Sequence, residues 1–256
     1  MTELGEKVTA AQTGATHLFS VGQAGYIIKS ANGQLLGIDL YLSDCVEHLE
    51  GHMGFKRLLP KILQPDELTF DGLIATHPHL DHFDVGSMSA LMSNSRTRLF
   101  ASVNCSEVVA HLGIPENRVV YVEPGDTCIV GDFTLNFVNC DHGTGAPDAV
   151  GVVIEVDGKR IFEAGDTCLR LDRTAEYCGE GPLDVMIAPI NGAYGNMNER
   201  ECAKLSKALT PKITIPCHYG MFASHGGNPG AFLDAMKEIC PGNKTLLMAL
   251  GEELVL

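Results

Sequence analysis

Three imidazoles and a carboxylate stand close together at His77, His79, Asp81 and His82, directly after the apolar run Leu73-Ile74-Ala75. That run reads as a short buried strand, so the polar residues sit where a strand leaves the core. In extended chain, side chains alternate faces, which predicts His77, His79 and Asp81 on one side. Imidazole nitrogens and carboxylate oxygens that converge are the donor set of zinc or another divalent metal. A solvated loop also holds histidines, but rarely as His-x-His-x-Asp-His at a strand exit.

Three further residues share that setting, a strand end followed by glycine or a turn. His142 follows the strand-like run from Phe133, Asp166 follows Ile161-Phe162-Glu163-Ala164, and His218 follows Ile213-Thr214-Ile215-Pro216-Cys217. Together the seven residues suffice for one or two ions, with Asp166 able to bridge. Gly-Asp-Thr occurs twice, but Asp126 follows Glu123-Pro124-Gly125, which reads as a surface turn. Asp39 ends a buried strand and is equally readable as a turn cap. His225, in Ser224-His225-Gly226-Gly227, reads as a loop residue near the mouth of such a site. Lys56-Arg57 is one of the few basic spots and is the candidate substrate-binding pair, anchoring an anion.

The chemistry expected of this set is hydrolysis. A divalent ion lowers the pKa of bound water toward neutrality, and the resulting hydroxide attacks an ester, lactone or phosphodiester. Asp81 is the candidate catalytic residue, orienting the water or accepting its proton. There is no Gly-x-Ser-x-Gly elbow and no evident Cys-His dyad, so a metal-activated water is preferred to a covalent nucleophile.

The elements that must position these residues are mostly strands. Strand pairs are expected at 17–28, 119–122, 127–130, 133–138, 150–156 and 160–164, with turns at Asn32-Gly33, Gly131-Asp132 and Asp157-Gly158. The spacing predicts helices over 85–94, from Asn104 with Glu107 closing a capping box, from Asn198 to Leu209, and from Pro229 to Ile239. Two stretches echo each other: Gly25 to Asp39 and Gly151 to Asp166 both run strand, glycine turn, strand, aspartate. That suggests two β-rich halves within one domain spanning 1–256, with sheets packed together and helices outside.

Composition narrows the partners. A formal charge of −14 over 256 residues argues against nucleic acid, which needs a basic face. Nine cysteines, odd in number and without Cys-x-x-Cys, point to a reducing, cytoplasmic setting. The N-terminus lacks a signal-peptide pattern and no apolar run spans a bilayer, so no membrane partner is expected. The expected partner is a small, anionic molecule, and a homo-oligomer is compatible with the sequence.

The order His-x-His-x-Asp-His, His142, Gly-Asp166, His218 resembles the metallo-β-lactamase fold superfamily, over nearly the whole chain from Gly22-Gln23-Ala24-Gly25 to His218-Tyr219-Gly220. Asp39-Leu40-Tyr41-Leu42-Ser43-Asp44, Phe55-Lys56-Arg57, Ala146-Pro147-Asp148-Ala149-Val150-Gly151 and Pro216-Cys217-His218-Tyr219-Gly220 look like its L-ascorbate-6-phosphate lactonase branch. The resemblance implies an α+β, four-layer αββα sandwich with metals at one edge between the sheets. It implies His77, His79 and His142 around a first ion, Asp81, His82 and His218 around a second, and Asp166 bridging. It also implies manganese or zinc and a phosphorylated sugar lactone as substrate. The alternatives are a phosphodiesterase on a nucleotide or phospholipid-type headgroup and, in another class, an iron-binding redox protein.

Overall fold

The structure, a computed structural model, describes residues 1–179 and 181–256. Two mixed seven-stranded sheets face each other. The first holds β1 (His17–Gly22), β2 (Gly25–Lys29), β3 (Leu35–Ile38), β4 (Gly72–Ala75), β5 (Arg98–Ser102) and β6 (Val119–Val122) in sequence order. The second holds β7 (Thr127–Val130), β8 (Phe133–Asn139), β9 (Val150–Val156), β10 (Lys159–Glu163), β11 (Val185–Pro189), β12 (Ile213–Cys217) and the short β13 (Lys244–Thr245). β14 (Glu253–Val255) returns to pair with β1.

Strict alternation of apolar side chains makes both faces of each sheet a core. Ile74 and Phe100 point between the sheets, while Leu73, Ala75, Leu99 and Ala101 point outward. Across the gap, Ile154, Ile161, Val185 and Ile187 meet them, while Val153, Phe162 and Met186 face the other way. Those outward faces are covered by helices. α1 (Glu3–Ala10), α3 (Met88–Leu91) and α4 (Ser106–His111) pack on the first sheet; α5 (Thr174–Cys178), α6 (Glu199–Leu209) and α7 (Pro229–Ile239) pack on the second. The result is the expected αββα sandwich.

The echo between the two halves has a topological basis. In the first sheet β1, β2 and β3 are antiparallel and β3, β4, β5 and β6 parallel. In the second, β7 to β10 are antiparallel and β10 to β13 parallel. The change of direction falls at β3 and β10, the strands that deliver Asp39 and Asp166. Parallel neighbours send their carboxyl ends to one edge, where ligand sites of such sheets gather.

Several local expectations hold. Asp157 and Gly158, at φ 50° and 72°, make the two-residue turn between β9 and β10. Asn198 caps α6 through the amides of Arg200 and Glu201, and the Glu201 side chain returns to the Asn198 amide. Others are corrected. The helix expected over 85–94 is only α3, and the capping box at Asn104 does not form. Residues 103–105 are a 3₁₀ turn, and the Asn104 side chain instead accepts from Ser102 Oγ at 2.5 Å. α1 and α2 (Cys45–Glu50) were not anticipated. Among the described residues no helix is long and apolar enough to cross a membrane.

Candidate metal centre

At the carboxyl edge of β4 the chain does not continue extended. His82 and Phe83 amides both bond back to the His79 carbonyl, at 2.9 and 2.7 Å, so residues 79–82 are a turn. This corrects the alternation argument. The turn, not the pleat, brings His82 to the same place as His77 and Asp81, although alternation put it on the opposite face. Buried Asp84 holds the turn by accepting from the Leu42, Ser43 and Gly86 amides and from Ser43 Oγ.

All seven residues expected as ligands meet in one cluster, which forms three groups: His77, His79, His142; His77, His82, Asp166; and Asp81, His82, His218. His79 Nδ1 lies 2.9 Å from His77 Nε2 and 3.1 Å from His142 Nε2. Asp166 Oδ2 lies 3.0 Å from His218 Nε2 and 3.7 Å from His142 Nε2, while its Oδ1 is 3.4 Å from His82 Nε2. Asp166 therefore touches both halves. Asp81 Oδ2 is 3.3 Å from His218 Nε2 and 3.6 Å from His82 Nε2.

A second layer fixes which nitrogens face inward. Asp39, fully buried at φ 43°, accepts from the Thr76 amide (2.9 Å), Thr76 Oγ1 (2.6 Å) and His82 Nδ1 (2.7 Å). With its proton given to Asp39, Thr76 Oγ1 accepts from His77 Nδ1 at 3.0 Å. His77 and His82 thus spend Nδ1 on a support and turn Nε2 to the centre, the arrangement that orients metal-binding imidazoles, whereas His79 turns Nδ1 inward. Asp39 is thereby placed behind the ligands.

The charges divide the cluster in two. Burial holds His77 and His79 below the usual histidine range and pushes His142 down to about 4, so these rings are neutral. In the other half burial also opposes charge, but Asp166 and Asp81 outweigh it: His218 is raised to about 9 and His82 well above its usual value. Burial is likewise outweighed at Asp81, held low mainly by His82 and His218, and at Asp166, held low mainly by His218 and His82.

The donor set fits a divalent ion. Three neutral imidazoles converge, with His79 Nδ1 about 3 Å from both His77 Nε2 and His142 Nε2, and His82 Nε2 is buried with no hydrogen-bond partner. Converging lone pairs and an orphaned nitrogen beside two carboxylates are satisfied together by a cation.

A pH prediction follows from that division. Metal must displace protons from His82 and His218, so affinity in the Asp81–His82–His218 half should climb by at least about tenfold per pH unit up to about 9. The His77–His79–His142 half should stay nearly flat from neutral pH upward, because burial holds all three rings below the usual histidine range. Cobalt titrations at several pH values read both; equal slopes would contradict the assignment.

Above the cluster lies a cavity of about 440 Å³. Val46, Met53, Phe55, Leu80, Tyr194 and Phe222 wall it, and His79, Asp81, His142, Asp166 and His218 form its floor. A larger cleft of about 520 Å³ runs between α1 and residues 249–252 but contains none of the clustered histidines, so the chemistry belongs to the smaller one. His225 lines the site cavity, its ring stacked on His218 at 4.9 Å. Tyr194, at φ 56° between Gly192 and Gly195, leans on Phe55 and His225.

Lys56 and Arg57, expected as anion anchors, do not line this cavity. Arg57 turns the other way: its guanidinium lies 4.7 Å over the Tyr41 ring and donates to the Ser43 and Leu59 carbonyls at 2.6 and 2.8 Å. Lys56 is exposed outside it. Gln23 was missed altogether, although the turn Gly22-Gln23-Ala24-Gly25 marks a special backbone position; its amide lies 2.7 Å from Asp81 Oδ2.

Comparison with known proteins agrees with this geometry. Residues 40–219 match the model of the β-lactamase superfamily domain. A metal-dependent hydrolase from Myxococcus xanthus is 30% identical over 245 residues, covering 90% of this chain and 80% of the relative. Among solved structures, a metallo hydrolase from Ignicoccus hospitalis superposes with a TM-score of 0.73 at 20% identity, covering 94% of this chain and 98% of its own. The isothiocyanate hydrolase from Delia radicum gut bacteria gives 0.72 at 19% identity, covering 94% and 99%. With sequence, fold and the His/Asp cluster in agreement, this chain belongs to the metal-dependent hydrolases of the β-lactamase superfamily.

Proposed function

We propose that the chain hydrolyses a small uncharged ester or lactone carrying an apolar group. The observation that carries this reading is the cavity wall of Val46, Met53, Phe55, Leu80, Tyr194 and Phe222 directly above the His/Asp floor, with no lysine or arginine among the described lining residues. Burial of apolar substrate surface against such a wall is favourable, whereas a phosphate held against the wall would lie near Glu50 with no lysine or arginine to pair with it. The lactone chemistry of the ascorbate-6-phosphate branch is kept in this proposal and its phosphate dropped. The isothiocyanate hydrolase of similar fold is named for a reaction at an uncharged electrophilic carbon, which is compatible with the same preference.

His77, His79, His142 and Asp166 would hold one ion, and Asp81, His82, His218 and Asp166 a second, with manganese or zinc both suited to the donors. A divalent ion held there supplies Lewis acidity and hydroxide at neutral pH. Asp81 is ionised, lines the cavity and has a side chain 15% exposed, so it is placed to orient a water or take its proton. Phe55 and Tyr194 exclude solvent from one side and position the apolar group. Nine free cysteines support a reducing, cytoplasmic setting for this activity.

The test is a panel with manganese- or zinc-loaded protein: an aryl ester, an alkyl lactone, an aryl isothiocyanate, a phosphorylated sugar lactone and a phosphodiester. Faster turnover of either phosphorylated substrate would overturn the proposal, and an iron-type spectrum with no hydrolysis would favour the redox class. Tyr194→Ala should raise KM for the preferred substrate by about five- to tenfold, from about 1 kcal/mol of lost apolar contact, with kcat nearly unchanged.

A further inference from the structure

The carboxamide of Gln23 stands inside the cluster although it belongs to neither ligand set. Its Nε2 donates to Asp81 Oδ2 at 2.7 Å and lies 3.0 Å from His218 Nε2 and 3.2 Å from His225 Nδ1. The residue is 4% exposed, and its Oε1 is buried without a partner. Its place is fixed by the backbone: Gly22 and Gln23 take φ 93° and 55° in the irregular turn between β1 and β2, and the Gln23 carbonyl accepts from the His218 amide at 2.9 Å.

Asp81 Oδ2 and His218 Nε2 are 3.3 Å apart, the separation of two donors on one tetrahedral ion with bonds of about 2 Å. An amide NH₂ only donates and cannot ligate a cation. Turning Oε1 inward instead would set it against the Asp81 carboxylate, so Asp81 Oδ2 at 2.7 Å and the half-buried His225 Nδ1 at 3.2 Å hold the donor face in place.

We propose that Gln23 closes the Asp81–His218 half of the centre to a second ion, so that the chain holds one ion tightly on the His77–His79–His142 side and a second only by displacing this amide. The proposal rests on the reading of the cluster as a metal centre. It makes Gln23 a residue that sets nuclearity: its NH₂ serves in place of the second cation by satisfying Asp81.

The test is calorimetric and spectroscopic titration of the metal-stripped full-length chain with cobalt. The wild-type chain should show a tight event and a separate weaker one. Gln23→Ala should tighten the weaker event by about tenfold or more while leaving the tight one unchanged. Gln23→Ser, which also withdraws the amide, serves if the Ala variant does not fold, and retention of the tight event reports the fold. A weaker event that weakens further would make Gln23 a ligand and overturn the proposal, as would one that does not move. A wild-type chain that takes up no cobalt would instead overturn the metal centre itself, and this proposal with it.

Discussion

Replacing His79 with Ala is expected to empty the His77–His79–His142 side and lower hydrolysis by roughly 10³-fold or more, because the nucleophile depends on an ion that takes water's pKa from about 15.7 to about 7. His79 Nδ1 is the atom that both His77 Nε2 and His142 Nε2 approach, at 2.9 and 3.1 Å. Its ring also stands at the exposed rim of the cluster, unlike buried His77 and His142. Removing it should therefore leave the fold of the metal-free chain within about 0.5 kcal/mol of wild type, as for other exposed positions. Elemental analysis, activity and thermal melting of the same preparation separate the two effects. A variant that loses activity only by unfolding, or keeps its metal and its rate, would contradict the assignment.

The second large effect is expected behind the site. Asp39→Ala removes the acceptor of the Thr76 amide, Thr76 Oγ1 and His82 Nδ1, all buried. Losing the carboxylate of a pair in which both side chains are 0% exposed should cost about 3–5 kcal/mol. For a chain of this size that lowers Tm by roughly 10 °C. Metal affinity should fall as well, by about 10- to 100-fold, because His77 and His82 lose the chain of hydrogen bonds that points Nε2 inward. Asp39→Asn keeps the shape while replacing one acceptor by a donor, so it should lose affinity with a smaller loss of stability. Unchanged metal affinity in both variants would show that Asp39 merely caps the turn after β3.

Much of the site was legible because its ligands announce themselves by type. His77, His79, Asp81, His82, His142, Asp166 and His218 all sit at or just beyond strand exits, and near-continuous apolar runs such as Leu73-Ile74-Ala75 mark strands buried on both faces. The turn at 79–82 was not legible, since the bonds from the His82 and Phe83 amides to the His79 carbonyl leave no mark on the apolar pattern. The role of Lys56-Arg57 was misread for a related reason. Charge shows in a sequence, but the direction of a side chain does not, and Arg57 is drawn to the Tyr41 ring and two carbonyls on the far side of its segment. The cavity wall was hidden because Val46 comes from α2 and Phe55, Tyr194 and Phe222 from three separate loops, and they share no spacing. The paired topology of β3 and β10, by contrast, was visible as an echo of two hairpins ending in Asp39 and Asp166.

The central claim is that the convergence of His77, His79, His142 and Asp166 exists to hold a cation. It is tested most directly by anomalous X-ray scattering from crystals of the protein grown with manganese or zinc, recorded on either side of the metal's absorption edge. The account predicts an anomalous peak enclosed by His77 Nε2, His79 Nδ1, His142 Nε2 and Asp166, present above the edge and absent below it. A cluster without that peak under saturating metal, or one loaded only at acidic residues elsewhere on the surface, would contradict it.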